Sequence, residues 1–192
     1  MKGTTAPDML RTSFGALIQE YYSRVSERTN KPDAQFFAEK IGTVDLARQG
    51  AAFMFGKVSE IVLVRDPRDV VCSSRAFWKS NFAESVKGLR GSFISMSKPR
   101  FERGFTQHVV RYEDLLTRTT ETITAVFAFL GLPAADLQAD TEIEARTFER
   151  HGTTASPEET IGRWRRELSD EEAAIANREF APFLDQFGYE AT

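Results

Sequence analysis

Arg65 and Ser73 are the residues whose types and spacing best suit anion chemistry in this 192-residue chain. Arg65 closes a short apolar run at 61–64 and offers a planar fork to two oxygens. Ser73, with Ser74 beside it, lies about two helical turns further on, within reach of the same anion. Between them, Asp66 stands as N-cap with Pro67 at the first helical position. Asp66 therefore takes up the free amides of the helix, and an anion here is held by side chains. A structural alternative pairs Arg65 with Asp66, Asp69 or Glu113. Residue chemistry alone leaves both readings open.

The elements that must position these residues follow from the pattern around them. Residues 61–64 are rich in β-branched side chains and suit a buried strand. Behind Pro67, a helical face is expected from Val70, Ser74 and Phe77, with Val71 and Trp78 alongside. An arginine leaving the carboxyl end of a strand and entering a helix stands where open α/β sheets bind ligands. Two further short strands are expected, at 35–40 (QFFAEK) and 107–111 (QHVVR). Helices are expected over 9–26, 45–55 with Gly56 as C-cap, and 119–130 stopped by Gly131 and Pro133. The segment 135–148 also reads as helix, and 30–33 as a turn. A last helix begins at Ser169, where Ser169 and Glu172 form a capping box, and Pro182 breaks it. Residues 81–105, interrupted by Gly88, Gly91 and Pro99, read as the least regular stretch. Strands alternating with helices argue for an α/β fold with a parallel sheet.

Bulk properties bound the function. The chain is 41% hydrophobic and 28% charged, as expected for one globular domain over residues 1–192. Net charge is −3, so no global basic field draws nucleic acid or an anionic membrane, and an anion site must be local. Cys72 is the single cysteine. Its apolar setting reads as a buried structural thiol. No stretch approaches the roughly 18 apolar residues of a membrane span, and no signal-peptide core opens the sequence. A cytoplasmic location is the expectation. No Cys/His spacing suits a metal. His108, in the strand at 107–111, reads as a packed residue, and His151 as part of a late loop.

Four ordered blocks carry a resemblance. VLVRDPRDVVCSS at 62–74 looks like the 3′-phosphate-binding segment of the PAPS-dependent sulfotransferases (PAPS is 3′-phosphoadenosine 5′-phosphosulfate). FAEKIG at 37–42 resembles the Glu-Lys-Thr-Pro segment of the bacterial branch, departing at Ile41 and Gly42. VVRYEDLLTRTTETITAVFAFLGLP at 109–133 and HGTTASPEETIGRWRREL at 151–168 are similar to its Tyr-Glu-Asp-Leu and late Gly-Arg-Trp segments. The resemblance covers about 35–190, leaving 1–34 as an atypical N-terminal region.

The resemblance implies a three-layer parallel sheet flanked by helices, of the P-loop nucleotide-kinase-like kind. It implies sulfonate transfer from PAPS to a hydroxyl or amine, releasing PAP (adenosine 3′,5′-bisphosphate), with no metal. It assigns Arg65 and Ser73 to the 3′-phosphate, Tyr112 to the adenine side, and Gly162, Arg163, Trp164 and Arg165 to a loop over the nucleotide. Lys40 matches a lysine near the transferred group, and Glu39 is the nearest carboxylate, hence the candidate base. Pro157, Glu158 and Glu159 stand where animal cytosolic members carry Arg-Lys-Gly, so Arg163, Arg165 or Arg166 is expected to substitute. The family's first strand and phosphosulfate loop are missing or degenerate here. Lys2, Gly3, Thr4 and Thr5 are the only candidate for that loop, which implies an N-terminally truncated chain or a remnant. A small-molecule, glycan or lipid acceptor is implied, lined by 81–105. Two alternatives stand beside this reading. One is a non-catalytic remnant that binds PAP; the other is a kinase-like phosphotransferase, weakened by the lack of a GxxxxGK[ST] loop.

Overall fold

The computed structural model describes residues 5–34, 36–40, 50, 55, 58–97, 105–133 and 152–190. The chain divides into two compact units, Met1–Glu60 with Arg100–Thr106, and Ile61–Pro99 with Gln107–Thr192.

In the first unit, helix α1 spans Ala6–Arg28 and buries none of its residues. It holds its ends by local means. The Asp8 carboxylate accepts from both the amide and the hydroxyl of Thr5, and Asn30 turns the chain out at φ 57°. Residues 36–40, expected as a strand, have no regular structure. Phe37 instead stacks on Tyr22 at 3.6 Å between ring centroids, so ring packing takes the place of a ladder. Gly50 and Phe55 are helical; the rest of the helix expected at 45–55, with its cap Gly56, lies outside the described residues, as do 135–148 and His151.

The sheet among the described residues is small, parallel and two-stranded: β1, Val58–Val64, pairs with β2, Phe105–Arg111. β1 alternates rather than being buried throughout, with Ile61 and Leu63 exposed and Val64 buried. Helix α2, Pro67–Trp78, follows at once, with the Asp66 carboxylate accepting from the Arg68 amide as N-cap. Its buried face is Arg68, Asp69, Val71 and Cys72, whereas Phe77 and Trp78, expected inside, are exposed.

The stretch after α2 is more regular than its glycines suggest. Helix α3 covers Phe82–Met96 and is started by a capping box between Asn81 and Glu84. Gly88 and Gly91 lie exposed within it with open space around their Cα atoms. β2 runs into α4, Tyr112–Thr117, and α5, Thr119–Leu130, which stops at Gly131 with φ 68°. A 3₁₀ turn at Glu158–Thr160 and the single-turn helix α6, Trp164–Glu167, precede α7, Asp170–Glu179, and α8, Ala181–Phe187. The Ser169–Glu172 capping box opens α7, and the chain breaks at Phe180, just before Pro182.

The core of the second unit gathers Val64, Val71, Val86, Phe93, Phe180, Phe183 and Leu184. Phe93 meets Phe180 and Phe183 edge-on at 5.3 and 4.7 Å, a geometry favoured by the ring quadrupoles. Burying this apolar face fixes α2 and α3 against α7 and α8, and with them the turn that carries Arg65.

Candidate anion-binding site

Arg65 leaves the end of β1 and lies over Tyr112, its guanidinium carbon 4.5 Å from the ring centroid. Its Nη2 donates to the Thr160 carbonyl at 3.0 Å, and the Thr160 and Tyr112 hydroxyls are hydrogen-bonded at 3.2 Å. Arg65 Nε is buried and has no partner among the described residues. Among the described residues no ion pair within 4 Å joins Arg65 to Asp66, Asp69 or Glu113, although its charge acts on the Asp69 carboxyl. Asp66 is taken by Arg68 at 2.7 Å, and Glu113 accepts from the Asp66 amide and the Tyr189 hydroxyl. Burial pushes the Tyr189 phenol up, with the Glu113 carboxylate adding to it.

Ser73, near the middle of α2, accepts from Arg163 Nη1 at 3.3 Å. Arg163 is only 3% exposed, and its Nε and Nη2 hold Glu167 in a fork at 2.8 and 3.0 Å. Thus Arg65 and Ser73 both reach the same late loop, at residues three apart, Thr160 and Arg163.

Asp69 fastens that loop. Its two carboxylate oxygens accept the amides of Gly162 at 2.7 Å and Trp164 at 2.9 Å. Gly162 adopts φ 65°, a left-handed turn that glycine enters without a Cβ penalty. Burial pushes the Asp69 carboxyl up to about 6; the two amides and Arg65 oppose this, and Asp66 adds to it. Arg68 and Arg165 lie over the Trp164 ring at 3.9 and 4.4 Å. Arg166 donates to the Glu159 carbonyl, and Glu158 and Glu159 are exposed. Cys72 is buried beneath the loop, its thiol pushed up to about 12 by burial first and by Glu167 second. This is an inert structural thiol. His108 packs on Phe129 at 5.2 Å.

Glu39 and Lys40 are exposed in the first unit, where Glu39 accepts from the Tyr22 hydroxyl. Burial and that carboxylate push the Tyr22 phenol up to about 12. Thr5 caps α1; Lys2, Gly3 and Thr4 lie outside the described residues.

Two residues that fasten the late loop differ in how far the sequence shows them. Asp69 reads in sequence only as a possible partner of Arg65, because its true partners are 93 and 95 positions away. Glu167 was findable: it stands four residues after Arg163, the spacing of a helical ion pair.

The sulfotransferase domain model matches residues 45–187, and the chain belongs to that family. A curated relative is carbohydrate sulfotransferase 3 of Mus musculus, 26% identical over 157 residues, covering 67% of this chain and 33% of the relative. The chain thus spans about a third of that relative's length. No solved structure matches.

Proposed function

We propose that this chain binds PAPS and PAP and transfers the sulfonate to a hydroxyl or amine of an acceptor, on a three-layer sulfotransferase fold. The observation that carries the reading is Arg65: an arginine at a strand end with a buried, unclaimed Nε, reaching the same loop as Ser73. A buried donor without a partner is costly, and an anion oxygen would satisfy it. In this reading Arg65 and Ser73 hold the 3′-phosphate. Tyr112, one face covered by Arg65, borders the adenine, and the turn from Gly162 to Arg165 closes over the nucleotide.

PAPS supplies an activated sulfonate. The acceptor oxygen or nitrogen bonds to sulfur as the bond from sulfur to the bridging oxygen breaks, PAP leaves, and the acceptor proton passes to a base. Glu39 is proposed as that base and Lys40 as the cation at the bridging oxygen, supported by their match to the family segment. The segment at Lys2, Gly3, Thr4 and Thr5 is proposed to face the 5′-phosphosulfate. Carbohydrate sulfotransferase 3 is named for a carbohydrate acceptor, which makes a glycan hydroxyl the first acceptor to try here.

Titration calorimetry with PAP and with ATP tests the donor. Tight PAP binding that Arg65→Ala weakens at least tenfold supports the reading. Preferential binding and turnover of ATP would overturn it. Transfer of label from PAPS to a glycan separates an enzyme from a protein that only binds PAP.

A further inference from the structure

One nitrogen of Arg163 serves two hydroxyls. Nη1 donates to Ser73 Oγ at 3.3 Å and to Thr153 Oγ1 at 2.7 Å. A guanidinium only donates, so both hydroxyls accept there, and each has one proton to direct elsewhere. Among the described residues neither proton has an acceptor. Other hydroxyls of the loop differ. Thr154 gives its proton to the Ser156 carbonyl, and Thr160 gives its own to the Pro157 carbonyl. Ser73 and Thr153 are therefore a matched pair: neighbours on one nitrogen, each half-buried, each with an unclaimed O–H.

The support behind the pair is rigid. Arg163 is 3% exposed and clamped by Glu167 on its other two nitrogens, so it holds the hydroxyls without itself being free for a ligand. The Arg163–Glu167 pair is neutral as a unit, so the hydroxyls recognise by hydrogen bonding and need charge from elsewhere. Thr153 also lines an open cleft of about 440 Å³ with Gly152, Thr154, Ala76, Phe77 and Lys79. Lys79 brings a cation to that rim. A hydroxyl donor at Thr153 on the rim that carries the Lys79 ammonium, with Ser73 sharing its Arg163 nitrogen, suits a group with several anionic oxygens.

We propose that Thr153 is a second hydroxyl ligand of the phosphate bound by Ser73, the two being turned outward together by Arg163. The inference rests on the reading of Ser73 as a 3′-phosphate ligand. It assigns Arg163 a positioning role, which replaces the expectation that its charge meets the phosphate directly.

The test is competition calorimetry on the full chain with PAP and with AMP, which lacks only the 3′-phosphate. Thr153→Val keeps the shape and removes the hydroxyl; Thr153→Ser keeps the hydroxyl. A hydrogen bond to a charged group is worth about 1.5–3 kcal/mol, so Thr153→Val is expected to weaken PAP by roughly 10- to 150-fold. AMP affinity should not change, and Thr153→Ser should stay within about threefold of the parent. Unchanged PAP affinity in Thr153→Val overturns the inference. So does an equal loss for PAP and AMP, which marks a collapsed loop. If Arg65→Ala still abolishes PAP binding in either case, the donor reading survives. A parent chain that does not bind PAP overturns both.

Discussion

Helices α1 and α2 are held by opposite means. The 23 residues of α1 bury nothing. Its contacts are near in sequence: the Thr5–Asp8 contacts at its start, the exposed Arg24–Glu20 pair along one side, and Tyr22 against Phe37 and Glu39. The 12 residues of α2 bury Pro67, Arg68, Asp69, Val71 and Cys72, two of them charged. Every buried charge there is answered from a distant part of the chain. Arg68 reaches Asn177 and the Glu190 carbonyl as well as Asp66, and Asp69 takes two amides of the late loop. Spacing and capping make a helix, but only long-range satisfaction makes a helix that can carry a binding site.

The sharpest way to break this contrast is Arg68→Met. It leaves the Asp66 carboxylate buried without its cation and is expected to cost about 3–5 kcal/mol, read by urea unfolding. A loss under 1 kcal/mol would mean the network is ornamental.

Next is the pH dependence of Asp69. Its carboxyl keeps its proton up to about 6 in the folded chain, against an ordinary value of 3.8. Between those values the folded state binds the extra proton, so stability falls as pH rises through this window. The contribution is complete below 3.8 and gone above about 6, on the order of 3 kcal/mol. Thermal unfolding from pH 4 to 7 should show this slope in the parent, and Asp69→Asn should flatten it. Asp8 on α1 runs the other way. The Thr5 hydroxyl, with its amide second, lowers the Asp8 pKa, so its support is present at neutral pH and lost on acidification.

The smallest effect is expected from Arg24→Ala. Its pair with Glu20 is 71% and 60% exposed, worth no more than about 0.5 kcal/mol by the same unfolding assay.

What is legible in the sequence follows the same division. The Asp66-Pro67 start, the Ser169–Glu172 box and the Gly131 stop are local signals, and the structure carries each where it is expected. The spacing of Arg65 and Ser73 is legible because the Asp66-Pro67 turn and the first turns of α2 stand between them. Helix α3 is obscured by Gly88 and Gly91, whose modest cost is outweighed by the Asn81–Glu84 box and by packing of Val86 and Phe93. The segment at 36–40 misleads in the other direction, since adjacent aromatics suit a strand but Phe37 finds Tyr22 instead. Thr153 and Asp69 are invisible locally, because only the closed fold brings them to Arg163 and to the amides of Gly162 and Trp164.

The two tryptophans of the chain sit in contrasting surroundings. Trp78 is 73% exposed, and Trp164 is 4% exposed beneath two guanidinium groups. A dry indole emits at shorter wavelength than a hydrated one, and a dissolved iodide ion quenches only what it can touch. Replacing Trp78 by phenylalanine therefore leaves a single optical reporter, seated next to Arg163. Its emission would follow the late loop in real time as a nucleotide arrives, with no dye attached.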